Sequence, residues 1–203
     1  MNIETAINAG AKILKDKYIR TANLDSEILM SKAINKNREF ILLNLKKNIN
    51  KQELFYFQTL IKKRSFRKPI AYLTNKKFFW NSEFFVTKDT LIPRPDTELI
   101  IENVLKFTKN KESLRILDIG IGSGCILLSI LKEKKNFYGT GIDISKKCLK
   151  ISKINAINLK VDQRLKLIKT DVDKFISSKY DLIVSNPPYI VKSKLKYLDR
   201  DVV

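Results

Sequence analysis

The sequence predicts an α/β chain: about four parallel strands, preceded by a small α-helical domain and a β-hairpin. Three observations predict it. From residue 114 onward, short apolar runs alternate with helical patterns, as in parallel sheets whose crossover helices cover them. Before residue 69, apolar residues recur at helical spacing. Between these regions, aromatic residues cluster around a short polar break.

The elements follow in order. In "IETAINAGAKILK", Ala6, Ile7, Ala9, Ile13 and Leu14 share most of one helical face. "LDSEILMSKAI" gives a second helix, with Asn23 or Asp25 as its start signal. "REFILLNL" is a short third. "KQELFYFQTLIKKR" is a fourth, striped by Leu54, Phe57 and Ile61. The texture changes near Pro69, and "FFWNSEFFV" reads as a hairpin with "NSE" at its break. Pro95 suits a first helical position, Asp96 and Glu98 complement the helix dipole, and that helix should run to about Lys109. Strands are expected in "LRILDIG", "FYGTGID", "RLKLIKTD" and "DLIVSN". Helices are expected in "SGCILLSILKEKK", "SKKCLKISKINAI" and, briefly, "DKFISS". The domains are accordingly 1–68 helical, 69–94 a linker with the hairpin, and 95–203 the α/β domain.

Composition narrows the function classes. With 203 residues, 44% hydrophobic and 30% charged, the chain is long enough for a substantial core and reads as globular. No apolar run approaches the roughly 20 residues of a membrane span. The N-terminus lacks the apolar segment of a signal peptide, so the cytoplasm is the expected compartment. The net charge of +19 invites a nucleic-acid partner. The lysines are scattered, however, and a coding bias accounts for the same balance. There is no histidine, and Cys125 and Cys148 form no CxxC, so no metal site is expected and both thiols read as buried.

The distinctive residues stand at the carboxyl ends of the expected strands, where open parallel sheets bind ligands. Gly120, Gly122 and Gly124 follow a strand and open a helix. The dinucleotide fingerprint would put its third glycine at position 125, which is cysteine. The G-x-G-x-G form instead resembles the loop of methyltransferases that bind S-adenosylmethionine. Asp143 ends the second strand and could accept both hydroxyls of a ribose, or serve a helix start beside Ser145. Asp171 ends the third, facing an adenine or capping a turn.

The fourth strand ends abruptly in Asn186-Pro187-Pro188-Tyr189. The lone pair of an amide or exocyclic amine nitrogen is delocalised and weakly nucleophilic. The Asn186 side-chain carbonyl can accept one N–H of such a group and the Pro187 backbone carbonyl the other. Together they orient the nitrogen toward a methyl donor. Two prolines hold the array rigid, and Tyr189 offers a ring face to a planar group.

"NPPY" after a strand resembles the motif of amino methyltransferases acting on planar nitrogens. With "PIAYL", "FFVTKDTLIPRPDTELI" and "VSNPPYI", the chain resembles the bacterial release factor glutamine methyltransferases over essentially its whole length. The resemblance implies a Rossmann-like class I methyltransferase sheet. It also implies transfer of a methyl group from S-adenosylmethionine to N5 of the glutamine in the Gly-Gly-Gln motif of class 1 peptide release factors. By matching motifs, Gly120, Ile121, Gly122, Ser123 and Gly124 would line the cofactor loop. Asp143 would take the ribose, Asp171 and Val172 the adenine side, with Asn186 close to the cofactor. Asn186, Pro187, Pro188 and Tyr189 would hold the target glutamine, with Arg94 and Glu98 bordering its pocket. The helical domain and the hairpin would help receive the release factor, and the enzyme would work as a monomer without membrane or a need for nucleic acid.

Asn75 stands where this family has a glycine, a position expected to need φ > 0, which asparagine tolerates next best. Val172 replaces an aromatic residue. The family's sheet has seven strands, and this sequence ends after the fourth, which reads as a truncated chain with an exposed apolar edge. The competing expectations are a nucleic-acid amino methyltransferase and an inactive remnant that still binds its partner.

Overall fold

A computed structural model describes residues 1–176 and 179–187. The chain divides into two compact units, whose described residues are Met1–Thr74 and those from Asn75 onward.

The first unit contains α1 (Ile3–Asp16), α2 (Ala22–Ile34), α3 (Arg38–Leu43), α4 (Lys51–Ser65) and the short α5 (Ile70–Thr74). Asn2 caps α1 by accepting the Thr5 N–H, and Asn50 and Glu53 cap α4 reciprocally. The buried face of α1 carries Ile3, Ala6, Ile7, Ala11 and Leu14. The expected face is thus rotated: Ala9 and Ile13 point outward, and Ala11 takes a place in the core. Neither expected start signal caps α2, which begins at Ala22 without a side-chain cap. Asp25 is 4% exposed and accepts Arg64 Nε at 2.7 Å. Its carboxylate serves a buried ion pair that local sequence does not reveal. Helix α5 escapes periodicity because it is a single turn; the Pro69 carbonyl accepts the Tyr72 and Leu73 N–H groups and starts it.

The second unit opens with Asn75 at φ 60, as expected there; its side-chain amide donates to the Val86 carbonyl at 3.2 Å. Strands β1 (Lys76–Phe79) and β2 (Ser82–Phe85) form the hairpin. Its turn is Trp80-Asn81, with φ 43 and 53, the positive-φ pair favoured by two-residue hairpins. Ser82 and Glu83 are therefore strand residues rather than the break, and Ser82 is 4% exposed. Pro95–Thr97 make one 3₁₀ turn, followed by α6 (Glu98–Phe107). That helix stops short of Lys109, where the Thr108 hydroxyl donates back to the Val104 carbonyl.

The remaining elements are β3 (Arg115–Ile119), α7 (Cys125–Glu133), β4 (Tyr138–Asp143), α8 (Lys146–Asn158), β5 (Leu165–Lys169) and β6 (Leu182–Ser185). The strands form one parallel sheet in the order β5-β4-β3-β6. Helix α7 packs on β3 and β4, and α8 on β4, β5 and β2. The expected short helix near residue 175 is one 3₁₀ turn, Val172–Lys174; Ser177 and Ser178 lie outside the described residues. Among the described residues β6 pairs with β3 alone, and its Ile183 is 58% exposed.

Candidate active site

The strand register assembles the site. Ile119 of β3 pairs with Ile142 of β4 and with Ser185 of β6, so Asp143, Gly120 and Asn186 each lie one residue beyond paired positions on adjacent strands. Asp143 pairs with Lys169 of β5, which places Asp171 just past the end of the outer strand. In sheet order, Asp171, Asp143, the glycine loop and Asn186 thus line the carboxyl edge.

The loop is held at nearly every polar atom. The Ile142 carbonyl accepts the N–H groups of Gly120 and Ile121 at 2.9 and 3.0 Å. Asp143 accepts the Gly122 N–H at 3.0 Å on one carboxylate oxygen and the Ser145 N–H at 2.8 Å on the other. From α8, the Ser152 hydroxyl donates to the Gly122 carbonyl at 2.7 Å, and the Asn155 amide to the Ser123 carbonyl at 2.8 Å. Asn155 also accepts the Phe85 N–H at 2.7 Å and donates to the Phe85 carbonyl at 3.0 Å, which ties β2 to the loop. Ser152 and Asn155 are both fully buried. Sequence reasoning missed them; the available signal was two polar residues among the apolar positions of one helix face.

The glycines differ in their surroundings. All three have positive φ, at 74, 56 and 82. Among the described residues, a Cβ on Gly120 would meet no atom within 4 Å, and one on Gly122 only the Gly120 carbonyl at 3.8 Å. That side of the loop is open, so a ligand can lie against bare backbone. A Cβ on Gly124 would strike Leu128 at 2.6 Å, so this glycine serves packing. Ile121 and Ser123 are buried beneath the loop, the Ile121 side chain reaching under Gly141. Each Asp143 oxygen keeps a second lone pair for a ligand hydroxyl, and the residue is half-buried. This open backbone beside a hydrogen-bond acceptor fits a nucleoside-bearing cofactor. Asp171 accepts the Asp173 N–H and caps its 3₁₀ turn, while Val172 is 48% exposed beside it.

Asn186 is half-buried, and its amide nitrogen donates to the Thr97 hydroxyl at 3.1 Å. Ser185 steadies the strand end by donating to the Ile119 carbonyl at 2.9 Å. Pro187 is exposed; Pro188 and Tyr189 lie outside the described residues. Arg94 caps the 3₁₀ turn, its carbonyl accepting the Thr97 N–H at 3.0 Å. The Glu98 carboxylate accepts the Trp80 backbone N–H at 3.0 Å, so it fastens the hairpin turn to α6.

One buried carboxyl was not anticipated. Asp118, at 2% exposure on β3, has its pKa raised from 3.8 to about 7. Burial is the main cause, a hydrogen bond from the Leu127 N–H opposes it, and the charge of Asp143 adds to it. Burial also pushes the Cys125 thiol up to about 12 and raises that of Cys148, so both thiols stay protonated and poorly nucleophilic at neutral pH.

Comparison with known proteins adds to this geometry. Residues 5–74 match the PrmC N-terminal domain and residues 95–199 the methyltransferase small domain. The release factor glutamine methyltransferase of Leptospira interrogans is 38% identical over 208 residues, covering all of this chain and 72% of that protein. The protein of the same name from Clostridium acetobutylicum is 36% identical over 205 residues, with 100% and 72% covered. A solved S-adenosylmethionine-dependent methyltransferase from Geobacter sulfurreducens, in complex with S-adenosyl-L-homocysteine, is 26% identical with a TM-score of 0.39, covering 45% of this chain and 36% of that one.

Proposed function

Because the chain belongs to the release factor glutamine methyltransferase family, we propose that it methylates the side-chain N5 of the glutamine in the Gly-Gly-Gln motif of class 1 peptide release factors. The methyl donor of this fold is S-adenosylmethionine, which supplies an electrophilic methyl group on a positively charged sulfur. The observation that supports the proposal is the register that brings Asn186 and the glycine loop to neighbouring strand ends.

Each residue then has a task. The backbone of Gly120 and Gly122 lies against the cofactor, and Asp143 accepts its ribose hydroxyls while holding the loop. Val172 borders the adenine. The Asn186 side-chain oxygen and the Pro187 carbonyl accept the two N–H groups of the target amide. That orients the nitrogen lone pair and removes the entropic cost of finding the geometry during the reaction. Pro188 stiffens the clamp and Tyr189 stacks on the amide plane. Arg94 borders the substrate cleft, and residues 1–68 receive the release factor. The α/β domain works as a monomer in the cytoplasm.

The test is methyl transfer from labelled S-adenosylmethionine to a purified class 1 release factor, with DNA and RNA as parallel acceptors. Label is expected in the release factor. In Asn186→Ala, turnover should fall by roughly 100-fold or more, as when a transition-state hydrogen-bonding group is removed. Cofactor affinity measured by calorimetry should change little. Label confined to nucleic acid, or turnover unchanged in Asn186→Ala, overturns the proposal.

A further inference from the structure

Asn186 can act as an acceptor only if its amide is held with the oxygen toward the substrate. An asparagine amide rotates readily about its last bond, and the half-turned form offers N–H donors that would meet an incoming N–H donor. The strand fixes the backbone of this residue: β6 pairs with β3 up to Ser185, and the Ser185 hydroxyl is bonded to the Ile119 carbonyl. Among the described residues, the side chain is held by one hydrogen bond, from its amide nitrogen to the Thr97 hydroxyl oxygen at 3.1 Å.

Thr97 is well placed to be that anchor. It is 7% exposed and ends the 3₁₀ turn Pro95–Thr97. Pro95 fixes its own φ at the start of this turn, and the Thr97 N–H is held by the Arg94 carbonyl at 3.0 Å. The next residue, Glu98, is fastened to the Trp80 N–H. The β-branched side chain restricts its own rotation, so the hydroxyl sits on a rigid support. With the Asn186 nitrogen committed to Thr97, the carbonyl oxygen is turned away from that support.

We propose that Thr97 is a positioning residue for methyl transfer: its hydroxyl accepts from the Asn186 amide nitrogen and so restrains the Asn186 side chain, whose oxygen lies on the side of the amide away from Thr97. This inference rests on the role assigned to Asn186 above. Thr97 touches neither substrate nor cofactor in this scheme and acts through the asparagine alone.

The test compares Thr97→Val, which keeps the shape and loses the hydroxyl, with Thr97→Ser, which restores it. Thr97→Val should lower kcat about 10-fold, the equivalent of one net hydrogen bond. The KM for the release factor and the cofactor affinity should stay within about threefold, and Thr97→Ser should recover most of the rate. In an Asn186→Ala background, Thr97→Val should have no further effect, because the two residues act as one unit. A readout independent of activity is the Asn186 side-chain NH₂ signal in the NMR spectrum of the ¹⁵N-labelled chain. Its exchange with solvent should quicken several-fold in Thr97→Val and return in Thr97→Ser. Normal turnover with unchanged NH₂ exchange in Thr97→Val overturns the positioning role. Unchanged turnover in Asn186→Ala overturns instead the reading on which it rests.

Discussion

Two glycines of one loop should fail in opposite ways when each acquires a methyl group. In Gly124→Ala the backbone stays at φ 82, which costs an L-residue roughly 1–2 kcal/mol. The new Cβ also lies 2.6 Å from Leu128 Cδ1 and 2.9 Å from its Cγ. Leu128 is fully buried and has little room to retreat, so overpacking adds roughly 1–3 kcal/mol. Loss of glycine flexibility in the unfolded chain returns about 0.4–1 kcal/mol. The net cost is roughly 3 kcal/mol, a drop of roughly 6–12 °C in Tm for a chain of this size. In Gly120→Ala the backbone cost is similar, at φ 74, but the Cβ meets no described residue within 4 Å. Its Tm should fall by only about 2–4 °C, in line with a cost near 1 kcal/mol. The methyl would occupy the open side of the loop, and the Kd for S-adenosyl-L-homocysteine should rise at least 10-fold, about 1.4 kcal/mol. Thermal melts and calorimetry on both variants decide the matter. If Gly124→Ala melts with the wild type, or if both lose stability and affinity in equal measure, the division of labour within the loop is wrong.

Two further predictions concern buried charge. Asp118 ionises near 3.8 when unfolded and about 7 when folded, so its contribution to stability is full below pH 4 and is lost as the pH rises toward 7. Asp118→Asn should therefore gain on the wild type by up to about 4 kcal/mol between pH 4 and pH 8, at about 1.4 kcal/mol per unit of pKa shift. A difference in unfolding free energy that does not vary across this range would refute it. In the helical unit, Asp25→Ala removes the carboxylate paired with the buried Arg64 and should cost about 3–5 kcal/mol in urea unfolding followed by circular dichroism. Replacing both with apolar residues of similar volume should recover most of that loss.

Local pattern carried much of the fold. The apolar runs that became β3 and β4 announced themselves because these inner strands bury both faces, and the glycines between β3 and α7 because glycine takes positive φ at no steric cost. Asn75 was legible for the same reason. What stayed hidden depends on partners distant in sequence. Asp25 looked like a cap because its ion-pair partner, Arg64, lies two helices onward. Ala9 and Ile13 were misplaced because the α1 face is set by what α2 and α4 present to it. Glu98 fastens a hairpin that precedes it. Ser152 and Asn155 carried no motif, since a hydroxyl or amide on an apolar helix face shows its purpose only when the carbonyl it answers is in view, and Thr97 lay within a quoted motif that did not show the amide it accepts from.

Asn155 has a consequence for how such a sequence can change. One amide serves the backbone of β2 and the backbone of the glycine loop together. A substitution there disturbs both at once. A hairpin transplanted from a relative, with its strand shifted by one residue, would pull the loop out of shape without altering a residue of it. The hairpin and the loop are therefore coupled through this one side chain, and a shift in either is felt by the other.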